Sequence, residues 1–284
     1  MSSHQSDKDT LASTACWVAA VRAHESKRAD RLFNDPWAAL LAGEEGEAWR
    51  ERSTGGDETK EVGLVIRTRF FDDFLIHVTR EHAIPQLIIL AAGMDTRAFR
   101  LPWPQQTHLF ELDQPQIFER KEPLLATAGA VPACQRQIVG VDLGGSWVDP
   151  LLRAGFDPGQ RSVWLMEGLL FYLPADLVTH LFEGVTALSL AGSWLGCELH
   201  NSEMLTSPWT RPWIEMLAQH GAPWISSIDD PAAFLAEHGW SATVTLPGED
   251  GAHFGRWPFP VIPREVSGMP RTFFVTATRN PSAR

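Results

Sequence analysis

Two rhythms of apolar residues divide this chain. Through residue 82 the apolar positions recur every three or four residues, the period of a helix with one buried face; past it they gather in short unbroken runs. The stretch 11–43 is helical but interrupted. Thr14 is placed to cap a first helix carrying Trp17, Val18 and Val21 on one side, and Pro36, after Asp35, opens a second that ends near Gly43. Residues 44–57, acidic and Gly-bearing, read as a surface loop, and residues 1–10 as a flexible tail. Residues 58–81 predict one long helix with Val62, Ile66, Phe70, Phe74 and His77 along it.

The second half alternates strands and helices. LIIL at 87–90 is wholly apolar, as in a strand buried on both faces, and a Gly-containing turn follows at 91–95. Further strands are predicted at 107–113, within 134–143, at 162–167 and at 193–199, with helices at 114–128, where Pro123 permits a kink, and at 174–190. A helix at 229–238 and late strands at 241–246 and 271–279 complete the pattern, the last alternating as an antiparallel strand does; residues 201–226, rich in Trp and Pro, yield no element. The pattern predicts an α/β fold on a largely parallel sheet, with any ligand at the carboxyl ends of the strands. Residues 11–82 form a helical cap and residues 83–284 the sheet domain, the two expected to make one structural unit.

Composition narrows the class. The net charge of -11 disfavours a polyanionic partner, so no nucleic acid is expected. The 3 Cys residues show no paired spacing, no 18-residue apolar run exists and no signal pattern opens the chain. A cytoplasmic protein with no membrane partner is the expectation, as monomer or homodimer. His77, His82, His253 and Asp250 lack metal-ligand spacing, so no metal is expected.

The loops after the strands carry the candidate chemistry. AAGMD has one glycine at its turn, Gly93, where a dinucleotide fold uses several to seat a pyrophosphate; a nucleoside without phosphates suits it better. Asp113, twenty residues on at a strand end, can accept both hydroxyls of a ribose or cap the next helix. Asp142 can accept from an adenine amino group with Leu143 packed on the ring, or serve a turn before Gly144 and Gly145. Glu167 faces the same edge, where a carboxylate suits a sulfonium or an ammonium. Arg67 and Arg69, on the long helix, can each clamp a carboxylate or face solvent.

IRTRFFDDFL, LIILAAGMDTRAFRL, FELDQPQIFERK, VGVDL and WLMEGLLFYL, in that order, resemble the leucine carboxyl methyltransferase superfamily. The bacterial branch that includes the tetracenomycin-type polyketide carboxyl O-methyltransferases is the most similar. The likeness extends over roughly residues 11–280 and is weakest over 200–265. It implies a Rossmann-like class I methyltransferase fold, with a mostly parallel seven-stranded sheet, an antiparallel final strand and an N-terminal helical cap. It also implies S-adenosyl-L-methionine as cofactor, S-adenosyl-L-homocysteine as product, and no metal. Carried over by position, Arg67 holds the methionine carboxylate, Ala91 and Gly93 lie beneath the cofactor, Asp113 takes the ribose, Asp142 and Leu143 the adenine, and Glu167 the methionine end. The family's loop usually reads GAG where this chain has AAG, so Ala91 replaces a glycine.

The implied reaction is transfer of a methyl group to a carboxylate of a small molecule or peptide end. A carboxylate, with a pKa near ~4, needs no base, whereas a phenol near ~10 benefits from one. His200 is the candidate base and Tyr172 a candidate to orient the acceptor oxygen. Arg69, Arg256 and Arg264 are possible counter-charges for an anionic acceptor. The competing readings are a phenol or hydroxyl O-methyltransferase, a non-catalytic nucleoside-binding protein, and a dehydrogenase, the last disfavoured by the missing GxGxxG.

Overall fold

The computed structural model describes the backbone of residues 3–281 and the side chains of residues 13–281. Helix α1 (Ser3–Lys27) contains neither Gly nor Pro, so it runs on through the segment expected as a tail; Met1 and Ser2 lie outside the described residues. Thr14 is therefore interior to the helix and not its cap. Helix α2 (Ala38–Thr54) also corrects an expectation. It bends at Gly43 and then resumes through the segment read as a loop, because Trp49 is buried beside Trp17 and Gly46 lets the backbone approach Cys16, whose carbonyl a Cβ would strike. Its Glu45 pairs with Arg120 and accepts from Ser13. A 3₁₀ turn (Glu58–Glu61) leads into α3 (Val62–Glu81).

The sheet is seven-stranded: β1 (Gln86–Leu90), β2 (His108–Asp113), β3 (Gln135–Gly140), β4 (Ser162–Met166), β5 (Trp194–His200), β6 (Trp240–Thr245) and β7 (Thr272–Arg279), in the order β3-β2-β1-β4-β5-β7-β6. The first five strands are mutually parallel, and β7 runs antiparallel to both β5 and β6, pairing His200 with Thr272. The strand order reverses between β1 and β4, the crevice at which open α/β sheets bind ligands. Helices α4 (Arg97–Arg100), α5 (Pro115–Thr127), α6 (Val148–Arg153) and α7 (Ala175–Ala187) connect the strands, α5 continuing across Pro123. Residues 201–226 supply α8 (Ser202–Thr206) and α9 (Arg211–Gln219), and α10 (Pro231–Glu237) precedes β6.

Both faces of the sheet are covered. On one, Trp147, Trp164 and Phe182 pack with Ile88 and Phe110; on the other, Phe71, Leu75 and Val78 of α3 pack with Leu87, Ile89 and Leu165. Helix α3 is thus a layer of the sheet domain as much as of the cap. A buried ion cluster fixes the strand that ends in Asp113: Glu111 takes Lys121 Nζ at 2.6 Å from α5 and Arg136 at 2.8 and 2.9 Å from β3. In the long β6–β7 connection Arg264 pairs with Glu249 and Arg271 binds the carbonyls of Pro263 and Val266, while Arg256 reaches Glu25 Oε2 (2.8 Å) on α1 and the Asp30 carbonyl (2.6 Å). Among the described residues no helix is long and apolar enough to cross a membrane.

Candidate active site

A cavity of about 790 Å³ opens at the carboxyl ends of the parallel strands, and Arg67, Ala91, Gly93, Asp113, Asp142, Leu143, Glu167, Tyr172 and His200 all line it. The turn after β1 holds Ala91 at φ 53° and Gly93 at φ 49°. The left-handed setting of Ala91 gives a physical reason for a glycine at this position, and the methyl costs about 1 kcal/mol. Asp113 ends β2 with each oxygen accepting a backbone N–H, Gly93 at 2.6 Å and Gln114 at 2.7 Å. Burial pushes its pKa up, and those two N–H groups oppose the shift. Each oxygen retains a lone pair, so the carboxylate can take a diol. Asp142 accepts from the Gly144 N–H at 2.9 Å, the turn geometry foreseen as its alternative, and still lines the cavity beside Leu143.

Arg67 differs from expectation. Its Nε donates to Glu167 Oε1 at 2.8 Å and its Nη1 to Glu198 Oε2 at 2.7 Å, so the two-bond clamp read from the sequence finds two donors already engaged. The physical reason is burial: a guanidinium inside a fold needs carboxylates about it. The network continues through Arg97, which contacts Glu167, Asp72 and Asp95 at 2.7, 2.7 and 2.5 Å, then through Arg100 on Asp72 to Asp35 and Arg22. Burial raises the Glu167 pKa and Arg97 with Arg67 outweighs it, leaving the group below its ordinary range; the same contest leaves Asp95 at about 2. Glu198, dominated by burial, is pushed up. Glu167 is thus held between two guanidinium groups, Oε1 on Arg67 and Oε2 on Arg97. Sequence reasoning missed Glu198 and Arg97. Glu198 was findable, because it lies two residues before His200 and strand alternation puts both on one face.

The far half of the cavity is aromatic. His200 closes β5 and is not a loop residue. Its ring lies 4.4 Å from Trp224, nearly parallel at 13°, and 4.6 Å from Phe171, with Nδ1 3.0 Å from Thr272 Oγ1. Burial, then Arg67, lowers its pKa to about 3, so the imidazole is neutral and a weak base. Burial raises Tyr172 to about 12. Trp17, Trp213, Trp257 and Phe274 extend the wall. Arg69, Arg256 and Arg264 do not line this cavity; each is spent on a carboxylate, Asp73, Glu25 and Glu249. Among the described residues no group of His, Cys, Asp and Glu is arranged to hold a metal ion.

The model of one family, leucine carboxyl methyltransferase, matches residues 15–186, the part that contains the strand-end loops just described. The chain belongs to the leucine carboxyl methyltransferase family. Proteins that carry the name of an S-adenosyl-L-methionine-dependent methyltransferase agree along nearly the whole length: one from Mycobacterium sp. (strain KMS) is 35% identical, covering 97% of this chain and 99% of that protein. Another, from Streptomyces coelicolor, is 38% identical over 90% and 91% of the two chains. A DUF574 family protein from Streptomyces avermitilis shares the fold with a TM-score of 0.61 at 14% identity, over 92% and 96% of the chains. This leucine carboxyl methyltransferase family member is thus an S-adenosyl-L-methionine-dependent enzyme on a Rossmann-like sheet.

Proposed function

We propose that this enzyme forms a methyl ester on a carboxylate of a small molecule or a peptide end. The carrying observation is the weakness of the bases at the acceptor end. His200, held near 3, is poorly matched to a phenol near ~10, and Glu198 is occupied by Arg67 and the Gly168 N–H. An acceptor that arrives ionised needs neither.

The residues present fit the cofactor. Asp113 would take the ribose, Asp142 and Leu143 the adenine, and Ala91 and Gly93 the floor. Arg67 and Glu167 would meet the carboxylate and ammonium of the methionine part. The ion network holds five carboxylates (Asp35, Asp72, Asp95, Glu167, Glu198) against the four guanidinium groups of Arg22, Arg67, Arg97 and Arg100 among the described residues, an excess that suits a cationic ligand. Bound S-adenosyl-L-methionine supplies an activated methyl group on a sulfonium. The protein's task is then to align donor and acceptor, worth up to roughly 7–11 kcal/mol in favourable cases. A wall of aromatic rings lowers the local dielectric, which favours a transfer in which an anion and a cation neutralise each other.

Radiolabelled methyl transfer to a panel of acids tests the reading, with mild base releasing the label from an ester and sparing an aryl ether. A base-stable product from a phenol defeats it. The turnover number should stay flat from pH 6 to 8, since His200, the imidazole that lines the cavity, is held well below that range; a limb near ~6.5 would restore His200 as a base.

A further inference from the structure

The turn after β1 is held from beneath by the helical cap. Its two left-handed residues, Ala91 and Gly93, set the direction of the Gly93 N–H that donates to Asp113 Oδ2 at 2.6 Å. A non-glycine residue persists in that region only where its surroundings over-determine it. Here the cap does so. Arg22 of α1 donates from Nη2 to the Met94 carbonyl at 2.6 Å and from Nε to Asp35 Oδ2 at 2.8 Å. The Thr96 hydroxyl donates to the same Asp35 oxygen at 2.6 Å. The Met94 side chain is buried among Cys16, Ala19 and Ala20 of α1 and Leu41 of α2, and a Cβ on Gly93 would stand 3.2 Å from that of Ala15. Asp35 is itself fixed: Oδ1 accepts from the Trp37 N–H at 3.2 Å, and its own N–H donates to Ser26 Oγ at 2.8 Å. Neither Asp35 nor Thr96 lines the cavity.

Resting on the placement of the nucleoside at Gly93 and Asp113, we infer that Asp35 is a positioning residue for the cofactor. Through Arg22 and Thr96 it fixes the middle and the end of the 91–96 turn, so the floor of the nucleoside site forms only with the cap docked. Burial would raise the Asp35 pKa, but Arg22, Arg100 and the Thr96 bond outweigh it and leave the group below its ordinary range. It is therefore a carboxylate, able to hold both donors with charge-assisted bonds. Loss of that hold frees Met94 and Thr96 to shift, and the Gly93 N–H then turns off Asp113. A displacement of about 1 Å made far from the chemistry can cost about 100-fold. The coupling is reciprocal: whatever factor cap docking adds to cofactor affinity, the bound cofactor returns to cap docking.

The test titrates S-adenosyl-L-homocysteine into the folded protein in a calorimeter, beside thermal unfolding of each variant without ligand. Thr96→Val keeps the shape of the side chain and removes its bond to Asp35; it should weaken binding about 3- to 10-fold. Thr96→Ser, which keeps the hydroxyl, should recover most of the affinity. Asp35→Asn should weaken binding about 10- to 100-fold, and Thr96→Val decides the matter should that variant fail to fold. Arg50→Met removes another buried ion pair of the cap, with Glu61, away from the turn. It should lower Tm and leave the affinity within about 2-fold of wild type. A second readout is amide exchange at residues 37–42, which do not line the cavity. S-adenosyl-L-homocysteine should slow it in wild type and less so in Thr96→Val. Wild-type affinity in Thr96→Val and Asp35→Asn, with Tm lowered, would make Asp35 a structural residue only. Equal weakening in Arg50→Met would reduce the effect to a general loosening of the cap, and ligand protection that stops at residues 91–96 would show no coupling; either result overturns the inference. Should Asp113→Ala also bind normally, it is the nucleoside placement that has failed.

Discussion

The two halves of the cavity solve the problem of burying polar groups in opposite ways. Around Arg67 and Glu167 the charges satisfy one another through a chain of ion pairs that runs from Glu198 to Arg22. Around His200 and Trp224 the polar atoms are uncharged and sit in stacked rings, with His200 Nδ1 3.0 Å from Thr272 Oγ1. The first arrangement holds its geometry without a ligand; its desolvation is offset within the protein, and removing one member exposes the rest. The second is a set of rings fixed by packing on one another.

The sharpest way to break this contrast is to delete the hub. Arg67→Met should leave Glu167 and Glu198 buried without their shared cation and cost about 3–5 kcal/mol in urea unfolding. A loss below ~1 kcal/mol would mean the charged half is not the rigid one. Asp113→Ala should weaken S-adenosyl-L-homocysteine by about 2–3 kcal/mol in calorimetry, since it removes a charged acceptor and strands the Gly93 and Gln114 N–H groups. Unchanged affinity would misplace the nucleoside.

Acid should separate the halves by pH range. Asp95 has its pKa depressed from 3.8 to about 2 in the fold, so its contribution is complete above pH 3.8 and vanishes as pH falls through 2. Between pH 4.5 and 2.5 wild type should lose roughly 1–2 kcal/mol more than Asp95→Asn in urea unfolding. His200 titrates lower in the fold than its ordinary 6.5, so its share is intact above pH 6.5 and erodes from there toward 3. Wild type should weaken more over that higher range than His200→Phe. The smallest effect belongs to Ala91→Gly, which relieves a left-handed alanine and should raise stability by under about 1 kcal/mol, seen as a shift of a few degrees in Tm.

Sequence reading recovered what periodicity encodes. The runs LIIL and SVWLM, buried on both faces, announced their strands, and Gly93, Asp113 and Glu167, read as strand-end residues, line the cavity at that edge. It failed where long-range contacts decide. Residues 44–57 read as a loop until Trp49 meets Trp17, and Arg67 read as free until β5 brings Glu198 across 131 positions. Trp224 sits in a segment with no clear rhythm, and only the tertiary fold stacks it on His200.

The place of β7 between β5 and β6 bears on the order of assembly. β6 must dock on a strand that is made some thirty residues after it. Until it emerges from the ribosome, β6 has no neighbour and β5 has a bare edge, an invitation to wrong pairing. His200 also waits for Thr272 to arrive opposite it. A chain cut short before residue 272 would therefore lose two strands rather than one, and with them the hydroxyl that lies 3.0 Å from the imidazole Nδ1.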